Sequence, residues 1–384
     1  MKKLSTRQKT KYLLVVSGIL LIVLLAALYL YAQKNKNRTY LTYDVERSVT
    51  LESNFSSGYG LTSDGVFRYS RDGASVIGAK GEEVWNVSFS MSNPIADTCG
   101  KCAVVADKGS KSLYVFDGTG SANPITTEYA IEKAVISAQG VVAVWMDDGT
   151  QDFFSLYSKD GQCLVDMNTL TATSGFPVDI AISNDGTKLV TTYVEFEDEN
   201  LKTQLTFYNF GDVGENYVDG LVGLEKIEGE LLADVTFLNS NLCAAFGEKG
   251  FTVFSMDEIP EKITTVSVDE EIESVSYSGQ YIGIVVNSTS LGTDYVARIY
   301  DTKGKLVDER ALSGRYEHFE ILGNEVVLYN DLQLLIYRIG GAEKIQTAFS
   351  KNVNCIYSIN EGDAYLLVGE QYAERIKLIG TKEE

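Results

Sequence analysis

The sequence feature that most constrains the fold is a repeated unit of short strands. Its clearest copy covers residues 176–220, where the pattern predicts four strands, at 178–182, 188–194, 205–210 and from 216 onward. An isolated antiparallel meander of this size leaves strand edges and an apolar face exposed. We therefore expect copies of the unit to stack or to close into a ring.

A hairpin signal marks each copy: an aromatic strand end, a polar turn with Gly or Asp, and a short apolar strand. We expect each signal to join the last two strands of a unit. The markers are Gly73, Gly120, Gly161, Gly211, Ile259, Gly304 and Gly340, at steps of 47, 41, 50, 48, 45 and 36 residues. Such spacing in an all-β chain predicts a β-propeller, because two immunoglobulin-like sandwiches of about 100 residues each would not produce it.

The two ends of the repeat indicate how the ring closes. Strands at 354–359, 364–368 and 374–379 follow the last marker and lack a fourth strand, while a strand-like segment at 40–45 precedes the first unit, which begins near Val49. Adding 40–45 to the last unit gives about eight four-stranded blades and removes an exposed edge. Seven blades remain an alternative, because the weaker copies are harder to count.

An apolar stretch near the N-terminus predicts a membrane anchor. Residues 12–31 carry no charge, and 20 residues form a helix of about 30 Å, the thickness of a bilayer's hydrocarbon core. The region lacks the shorter apolar core and small-residue cleavage site of a signal peptide. Five basic residues precede it and three follow it, which favours a cytoplasmic N-terminus.

These observations predict four regions. They are a cytoplasmic basic tail at 1–11, one transmembrane helix at 12–31, a linker at 32–39 and an extracytoplasmic propeller domain at 40–384. The domain is strongly acidic, because 25 basic residues face 53 acidic ones after residue 38, a net charge of −28. Nucleic acid is therefore not an expected partner. A solvated acidic surface and attraction of a basic partner or cations both remain open.

The five cysteines are too few, and odd in number, for a disulfide-built domain. Cys163, Cys243 and Cys355 lie in apolar runs and are predicted core residues. Cys99 and Cys102 flank a Gly-Lys pair that resembles a two-residue hairpin turn. They could face each other and form a disulfide outside the cell, or remain free thiols.

No catalytic residue set, cofactor motif or metal centre is predicted. His318 is the only histidine, no G-x-S-x-G elbow or Walker loop is present, and the alternation around His318 fits a strand. Acidic residues crowd a loop that includes Glu197 and Asp198, which suits a solvated loop or an oxygen-ligated Ca²⁺.

Residues suited to binding fall on loops that a propeller gathers on one face. Phe176, Arg315 and Tyr316 combine aromatic area with a bidentate donor, as binding hot spots do, and Glu197 and Asp198 belong to the same face. Packing between blades is the alternative role for the aromatic residues.

Two local motifs resemble known propellers. Residues 183–190, SNDGTKLV, resemble the S-x-D-G turn of TolB-type and WD40-like propellers, and residues 81–85, GEEVW, resemble a PQQ-type repeat segment. The whole chain is similar to uncharacterised membrane-anchored proteins of Gram-positive bacteria, the DUF5711 family. The resemblance implies a propeller and an envelope location, but no activity.

The sequence thus favours a membrane-anchored scaffold that binds an unknown envelope protein. An envelope hydrolase or lyase that works with carboxylates is one alternative, and a sensor of a small ligand or Ca²⁺ is another. Convergence of acidic side chains in the central channel would favour the enzyme.

Overall fold

The computed structural model describes residues 16–29, 31, 38–51, 58–169, 175–197, 200–289, 292–359 and 362–381. These residues form one helix, α1 (16–29), and eight four-stranded antiparallel sheets. Among them, no helix is both long and apolar enough to cross a membrane. The predicted tail at 1–11, both ends of the predicted span and most of the linker lie outside the described residues.

Each sheet is one blade of a propeller. Blades 1 to 4 consist of β2 (Gly58–Thr62), β3 (Gly65–Tyr69), β4 (Gly73–Gly78) and β5 (Glu83–Ser88); β6 (Pro94–Cys99), β7 (Cys102–Asp107), β8 (Ser112–Phe116) and β9 (Ala122–Thr126); β10 (Ala130–Ile136), β11 (Val142–Asp147), β12 (Asp152–Tyr157) and β13 (Cys163–Thr169); and β14 (Phe176–Ile182), β15 (Lys188–Glu197), β16 (Asn200–Asn209) and β17 (Leu221–Glu228).

Blades 5 to 7 consist of β18 (Leu232–Asn239), β19 (Leu242–Gly247), β20 (Gly250–Ser255) and β21 (Glu261–Ser267); β22 (Ile272–Tyr277), β23 (Tyr281–Asn287), β24 (Tyr295–Asp301) and β25 (Leu306–Leu312); and β26 (His318–Leu322), β27 (Glu325–Tyr329), β28 (Gln333–Arg338) and β29 (Glu343–Ala348). Blade 8 joins the two chain ends, with β30 (Cys355–Ile359), β31 (Ala364–Val368), β32 (Tyr372–Thr381) and β1 (Tyr40–Thr50).

The eight-bladed ring confirms the predicted closure. β1 pairs antiparallel with β32, from Tyr40 opposite Thr381 to Thr50 opposite Tyr372. The side chain of Arg338 in blade 7 also donates to the carbonyl oxygen of Arg38 at 2.8 Å. The first residues of the domain are therefore held by the last two blades.

Burial follows the position of a strand within its blade. Middle strands such as β7 and β31 are buried throughout, because both of their faces pack against neighbouring blades. Fourth strands such as β17 alternate between exposed and covered residues. First strands line the central channel, as the residues around its cavities show.

The strand directions define two faces of the disc. Connections between blades, and those from second to third strands, lie on what we call the upper face. Turns from first to second and from third to fourth strands lie on the lower face. β1 is the fourth strand of blade 8, so its first residue, Tyr40, lies at the lower face.

The 183–190 turn, noted for its resemblance to other propellers, joins three blades at the lower face. Its Asp185 accepts from the Ser183 hydroxyl at 2.6 Å, and Gly186 has a φ of 76° that favours glycine. The buried Lys188 donates to Ser240 O in blade 5 at 3.0 Å, while the backbone N–H of Ala138 in blade 3 donates to Asn184 O at 3.0 Å.

The 81–85 segment joins blades 1 and 2. Trp85 stacks on Phe116 with ring centroids 5.2 Å apart and also contacts Phe67. A Cβ at Gly120 would lie 2.9 Å from Trp85 Cβ, so this turn needs glycine for the close approach as well as for its φ of 88°.

Three details of the predicted repeat are wrong. Gly73 begins the third strand of blade 1, directly after the turn from the second strand, and the last hairpin of this blade turns at Gly81. The first unit begins at Gly58, because β1 continues through Val49. The chain after β16 forms two 3-10 turns, Gly214–Asn216 and Val218–Gly220, before the fourth strand starts at Leu221.

A buried ionic network ties blade 7 to blade 8. Lys344 is 1% exposed, and its Nζ donates to Glu325 Oε1 at 2.5 Å, Tyr365 OH at 2.6 Å and Gly362 O at 2.5 Å. The Tyr365 hydroxyl donates to the other Glu325 oxygen. Burial lowers the pKa of Lys344, although the charge of Glu325 opposes that shift.

Replacing Lys344 with methionine should destabilise the protein strongly, because Glu325, whose side chain is only 19% exposed, would lose its cation. We expect a loss of about 3–5 kcal/mol in the free energy of unfolding, measured by urea denaturation of the full chain. Lys262→Met is the matched control, since Lys262 pairs with Glu225 at 2.5 Å but is 50% exposed. It should cost at most about 1 kcal/mol, and equal losses in the two variants would contradict this assignment.

Candidate functional site

The predicted binding residues lie on the upper face but do not form one cluster. Phe176 starts β14 in blade 4 and is 60% exposed. Arg315 and Tyr316 lie in the connection from blade 6 to blade 7. Glu197 ends β15, and Asp198 lies outside the described residues. Blade 5 separates Phe176 from the Arg315 region, so any shared partner must span part of the disc.

A cavity of about 340 Å³ opens at the connection between blades 6 and 7. The side chain of Arg315 is 70% exposed at this cavity and pairs with Glu273 at 3.2 Å. Tyr316 is only 8% exposed, packs into the core of blades 6 and 7, and lies 3.3 Å from Ser313 through its hydroxyl. Arg315 can reach a partner, whereas the Tyr316 ring chiefly forms the cavity wall.

Sequence reasoning missed a second cavity, of about 480 Å³, in the central channel. The first strands of blades 2 to 6 line it. Asp97, Lys133 and Asp234 lie on its wall, and Asp179 pairs with Lys133; we call these four residues the channel cluster.

Bulges help to position three members of the channel cluster. The pairing of β10, β14 and β18 with their second strands skips one residue each, at Glu132, Val178 and Ala233. The residues that follow are Lys133, Asp179 and Asp234. A bulge bends its strand and re-aims the next side chain, which accounts for the similar placement in three consecutive blades.

Two carboxylates of the cluster connect neighbouring blades. The first strand of a blade has no strand partner on its channel side, so its N–H groups need other acceptors. Asp97 accepts from Ile136 N in blade 3 at 2.8 Å, and the buried Asp179 accepts from Val235 N in blade 5 at 3.0 Å. Part of the acidic character of the channel is therefore structural.

The remaining carboxyl is open to the channel. Asp234 lines the cavity and lies beside Asp179, which pairs with Lys133. Burial by the surrounding protein, and then the Asp179 charge, raise the pKa of Asp234 to about 6. Burial also raises the pKa of Asp97 to about 6, although the Ile136 hydrogen bond opposes the shift. The channel thus holds carboxyls that can exchange protons near neutral pH.

The described residues contain no group of three or more histidine, cysteine or carboxylate side chains suited to a metal ion. His318 occupies the predicted strand position, in β26, and stacks on Tyr329 with centroids 4.4 Å apart. Burial lowers the pKa of His318. It lines another channel cavity of about 340 Å³ with Glu320 and Tyr59, away from the channel cluster.

The cysteines differ from expectation at one position. Cys99 and Cys102 face each other across the predicted hairpin and are free thiols in this structure, with Cys102 Sγ 3.6 Å from Ala138 O. Their disulfide stays a prediction. Cys243 and Cys355 are buried as predicted, but Cys163 is exposed because it begins β13, an outer strand that faces solvent on one side.

Asp97→Asn tests the effect of the channel on stability. The Asp97 carboxyl has a pKa of about 6 in the folded state and about 3.9 in the unfolded state. The protein therefore loses stability as the pH rises from about 4 through about 6. Asparagine keeps an acceptor for Ile136 N–H without titrating. In urea denaturation, the free energy of unfolding of the variant should be close to that of the wild type at pH 4 and exceed it by up to about 3 kcal/mol at pH 8.

Asp148→Asn is the control for this pH dependence. Hydrogen bonds from Thr150 and Gln151 lower the pKa of the exposed Asp148, so its contribution is lost as the pH falls. Asp148→Asn should therefore lower the free energy of unfolding relative to the wild type at pH 8, and this difference should shrink as the pH falls. A pH profile of Asp97→Asn parallel to the wild type would refute the assignment.

Comparison with solved structures shows the fold. BamB from Moraxella catarrhalis has a TM-score of 0.54 at 12% identity, over 88% of this chain and 100% of that chain. Hydrazine synthase from Kuenenia stuttgartiensis has a TM-score of 0.51 at 13% identity, over 77% and 98%. A eukaryotic initiation factor has a TM-score of 0.50 at 9% identity, over 89% and 88%. No curated protein matches the sequence.

The family comparison covers nearly the whole propeller. The model of a family of unknown function, DUF5711, matches residues 36–378, from before β1 into β32. The chain therefore belongs to the DUF5711 family.

Proposed function

We propose that this protein is a single-pass, membrane-anchored β-propeller that acts outside the cytoplasm as a scaffold for another envelope protein. The observation that carries the proposal is the relation of the two faces. The chain enters the ring at the lower face, while the exposed Arg315 and Phe176 lie on the upper face. A tethered disc of this kind presents its upper face away from the membrane.

The apolar segment supports the anchor. The large side chains of α1 are exposed on all sides, for example Ile19 at 57%, Leu20 at 64% and Ile22 at 67%. A helix that is apolar all round requires an apolar environment. A bilayer around residues 12–31 would supply it, with the basic tail at 1–11 in the cytoplasm.

The attachment also limits how far the propeller can move from the membrane. Arg38 is bound to Arg338, and its guanidinium lies 5.1 Å from the Tyr40 ring centroid. Only residues 32–37 separate it from the end of the apolar segment, and six residues span at most about 22 Å. The lower face therefore stays close to the bilayer.

The upper face has the chemistry of a protein contact. Phe176 offers exposed aromatic area, and Arg315 offers a charged fork beside a cavity of about 340 Å³. Arginine and aromatic residues are enriched among binding hot spots, and a cavity admits an anchoring side chain. Two of the residues predicted to bind a partner, Phe176 and Arg315, are therefore accessible on this face.

A membrane-impermeant crosslinker applied to intact cells tests the scaffold. It should join the wild type to a partner, and Arg315→Ala together with Phe176→Ala should reduce the crosslinked product by at least about tenfold. Leu332→Ser is the control, since Leu332 is equally exposed, at 67%, on the same face in blade 7. Undiminished crosslinking of the double variant would reject this part of the face.

Topology is measured in the same cells. An impermeant maleimide should label the exposed Cys163, whereas a cysteine introduced by Ser5→Cys should react only after lysis. Labelling of the tail in intact cells, or no labelling of Cys163, would reject the membrane arrangement. The face variants can be scored only where the labelling places the propeller outside.

The channel cluster favours a second candidate function. Asp97 and Asp234 line a cavity of about 480 Å³, where Asp179 pairs with Lys133 and where Lys108 and Glu132 also lie on the wall. This arrangement suits a sensor of a small organic cation. It also supports the enzyme alternative, because Asp234, whose pKa is raised to about 6 by burial and by the Asp179 charge, is suited to acid–base chemistry.

Thermal unfolding tests the sensor with spermidine as the probe and CaCl₂ as the comparison salt. A ligand at 100 times its Kd stabilises the folded state by about 2.7 kcal/mol, which should raise the melting temperature of the wild type. Asp234→Asn should abolish the rise, and Asp148→Asn should keep it, because Asp148 lies outside the channel. An equal rise in both variants would show binding elsewhere on the acidic surface.

A further inference from the structure

An exposed apolar surface lies on the lower face of blades 4 and 5. It consists of Tyr217, Val218 and Ile259, which are 44%, 84% and 44% exposed, and we call these three residues the apolar patch. Val218 is the most exposed large apolar side chain of the described residues. None of the three belongs to the upper face or to the channel.

The two loops that carry the apolar patch pack against each other. Asn209 Nδ2 in blade 4 donates to Glu258 O in blade 5 at 3.0 Å. A Cβ at Gly223 would lie 2.2 Å from Pro260 Cγ, so the start of β17 touches the second loop directly. The two loops that carry the apolar patch are therefore in direct contact across a blade boundary.

The blade 4 loop is built to hold its residues outward. It runs from 210 to 220, whereas the corresponding hairpins of the other blades that are continuous in sequence have four or five residues. Its two 3-10 turns fold back on Asn209, whose carbonyl oxygen lies 1.5 Å from where a Cβ of Gly214 would be. Asp219, at φ 55°, is the only non-glycine residue with positive φ in the described part of the chain. Such a conformation is uncommon and costs energy unless its surroundings hold it.

Carboxylates surround the apolar patch. The two loops carry five exposed acidic residues and no basic one: Asp212, Glu215, Asp219, Asp257 and Glu258. Within the described residues, none of them forms an ion pair; the nearby Lys262 pairs with Glu225 on the outer strands. An apolar centre with an unneutralised acidic rim is complementary to an apolar side chain flanked by cations.

We propose that the apolar patch docks a segment of another protein in which an apolar side chain lies between lysines or arginines. The acidic rim disfavours an anionic bilayer, which attracts basic rather than acidic surfaces. It also disfavours a second copy of the propeller, since the domain carries a net charge of −28. A protein segment with both apolar and cationic side chains can cover the apolar patch and pair with the acidic residues around it.

This inference goes beyond the scaffold function and does not depend on it. The apolar patch lies on the opposite face from Arg315, and blade 4 lies across the ring from blade 8, where the chain enters. Binding can be measured on the purified full chain. Failure of the membrane arrangement or of the upper-face contact would therefore leave the test intact.

The test uses fluorescence anisotropy with two labelled peptides, one alternating lysine with leucine and one alternating lysine with serine. The full chain in mild detergent should bind the lysine–leucine peptide at least about tenfold more tightly, because only leucine can cover the apolar patch. Val218→Ser should weaken binding of the lysine–leucine peptide by about tenfold without affecting binding of the lysine–serine peptide. Leu332→Ser, at a 67% exposed side chain on the upper face, should have no effect.

Charge variants test the rim. Asp219→Asn retains a residue that tolerates positive φ, and together with Asp257→Asn it should weaken binding and flatten its salt dependence. The proposal is overturned if both peptides bind equally, or if Leu332→Ser matches Val218→Ser. Displacement of the lysine–leucine peptide by monomeric short-chain phosphatidylcholine would assign the surface to lipid and overturn it as well.

Discussion

The antiparallel pairing of β1 with β32 is the interaction on which the rest of the structure depends. Without it, blade 8 would have three strands and the edge of β32 would be unpaired, and unpaired edges are the usual site of aggregation in sheet proteins. The pairing also decides where the N-terminal segment leaves the disc. Because Tyr40 lies opposite Thr381, the preceding chain starts from the lower face, so closure and orientation have one cause.

Closure creates a second constraint at the centre of the ring. Every first strand presents an edge to the channel, and its N–H groups need acceptors that no strand can provide there. Asp97 and Asp179 supply acceptors to the next blades, and Ser276 does the same for Ile321 at 2.9 Å. The same carboxylates make the channel cavity acidic. Asp234 and Lys133 lie on the wall of this cavity. Residues that connect the blades therefore also supply the acidic groups of the channel.

Local patterns predicted much of the fold. Alternation and turn chemistry predicted the strands around 183–190, the hairpins after β8, β12 and β24, and the strand position of His318, because these depend on neighbouring residues. The blade count followed from the spacing and from the unmatched strands at the two ends. The errors arose where similar turns serve different connections: the polar turn before Gly73 resembles a last hairpin but joins the middle strands of blade 1. The sequence pattern predicts a strand from 216 onward, although Asp219 and Gly220 with positive φ cannot continue one.

The sequence by itself determined the all-β ring, its closure by the N-terminal strand and the acidic character of the domain, since periodicity, end matching and charge are properties of the chain. Tertiary structure alone decided which side chains meet. Asp97, Lys133, Asp179 and Asp234 lie in four different blades and converge because closure brings their first strands together. Likewise, only packing between blades 4 and 5 brings the loop that carries Val218 against the loop that carries Ile259, and only the core of blades 6 and 7 turns Tyr316 inward while Arg315 stays exposed. Contacts between residues distant in sequence depend on the relative placement of blades, which strand periodicity does not encode.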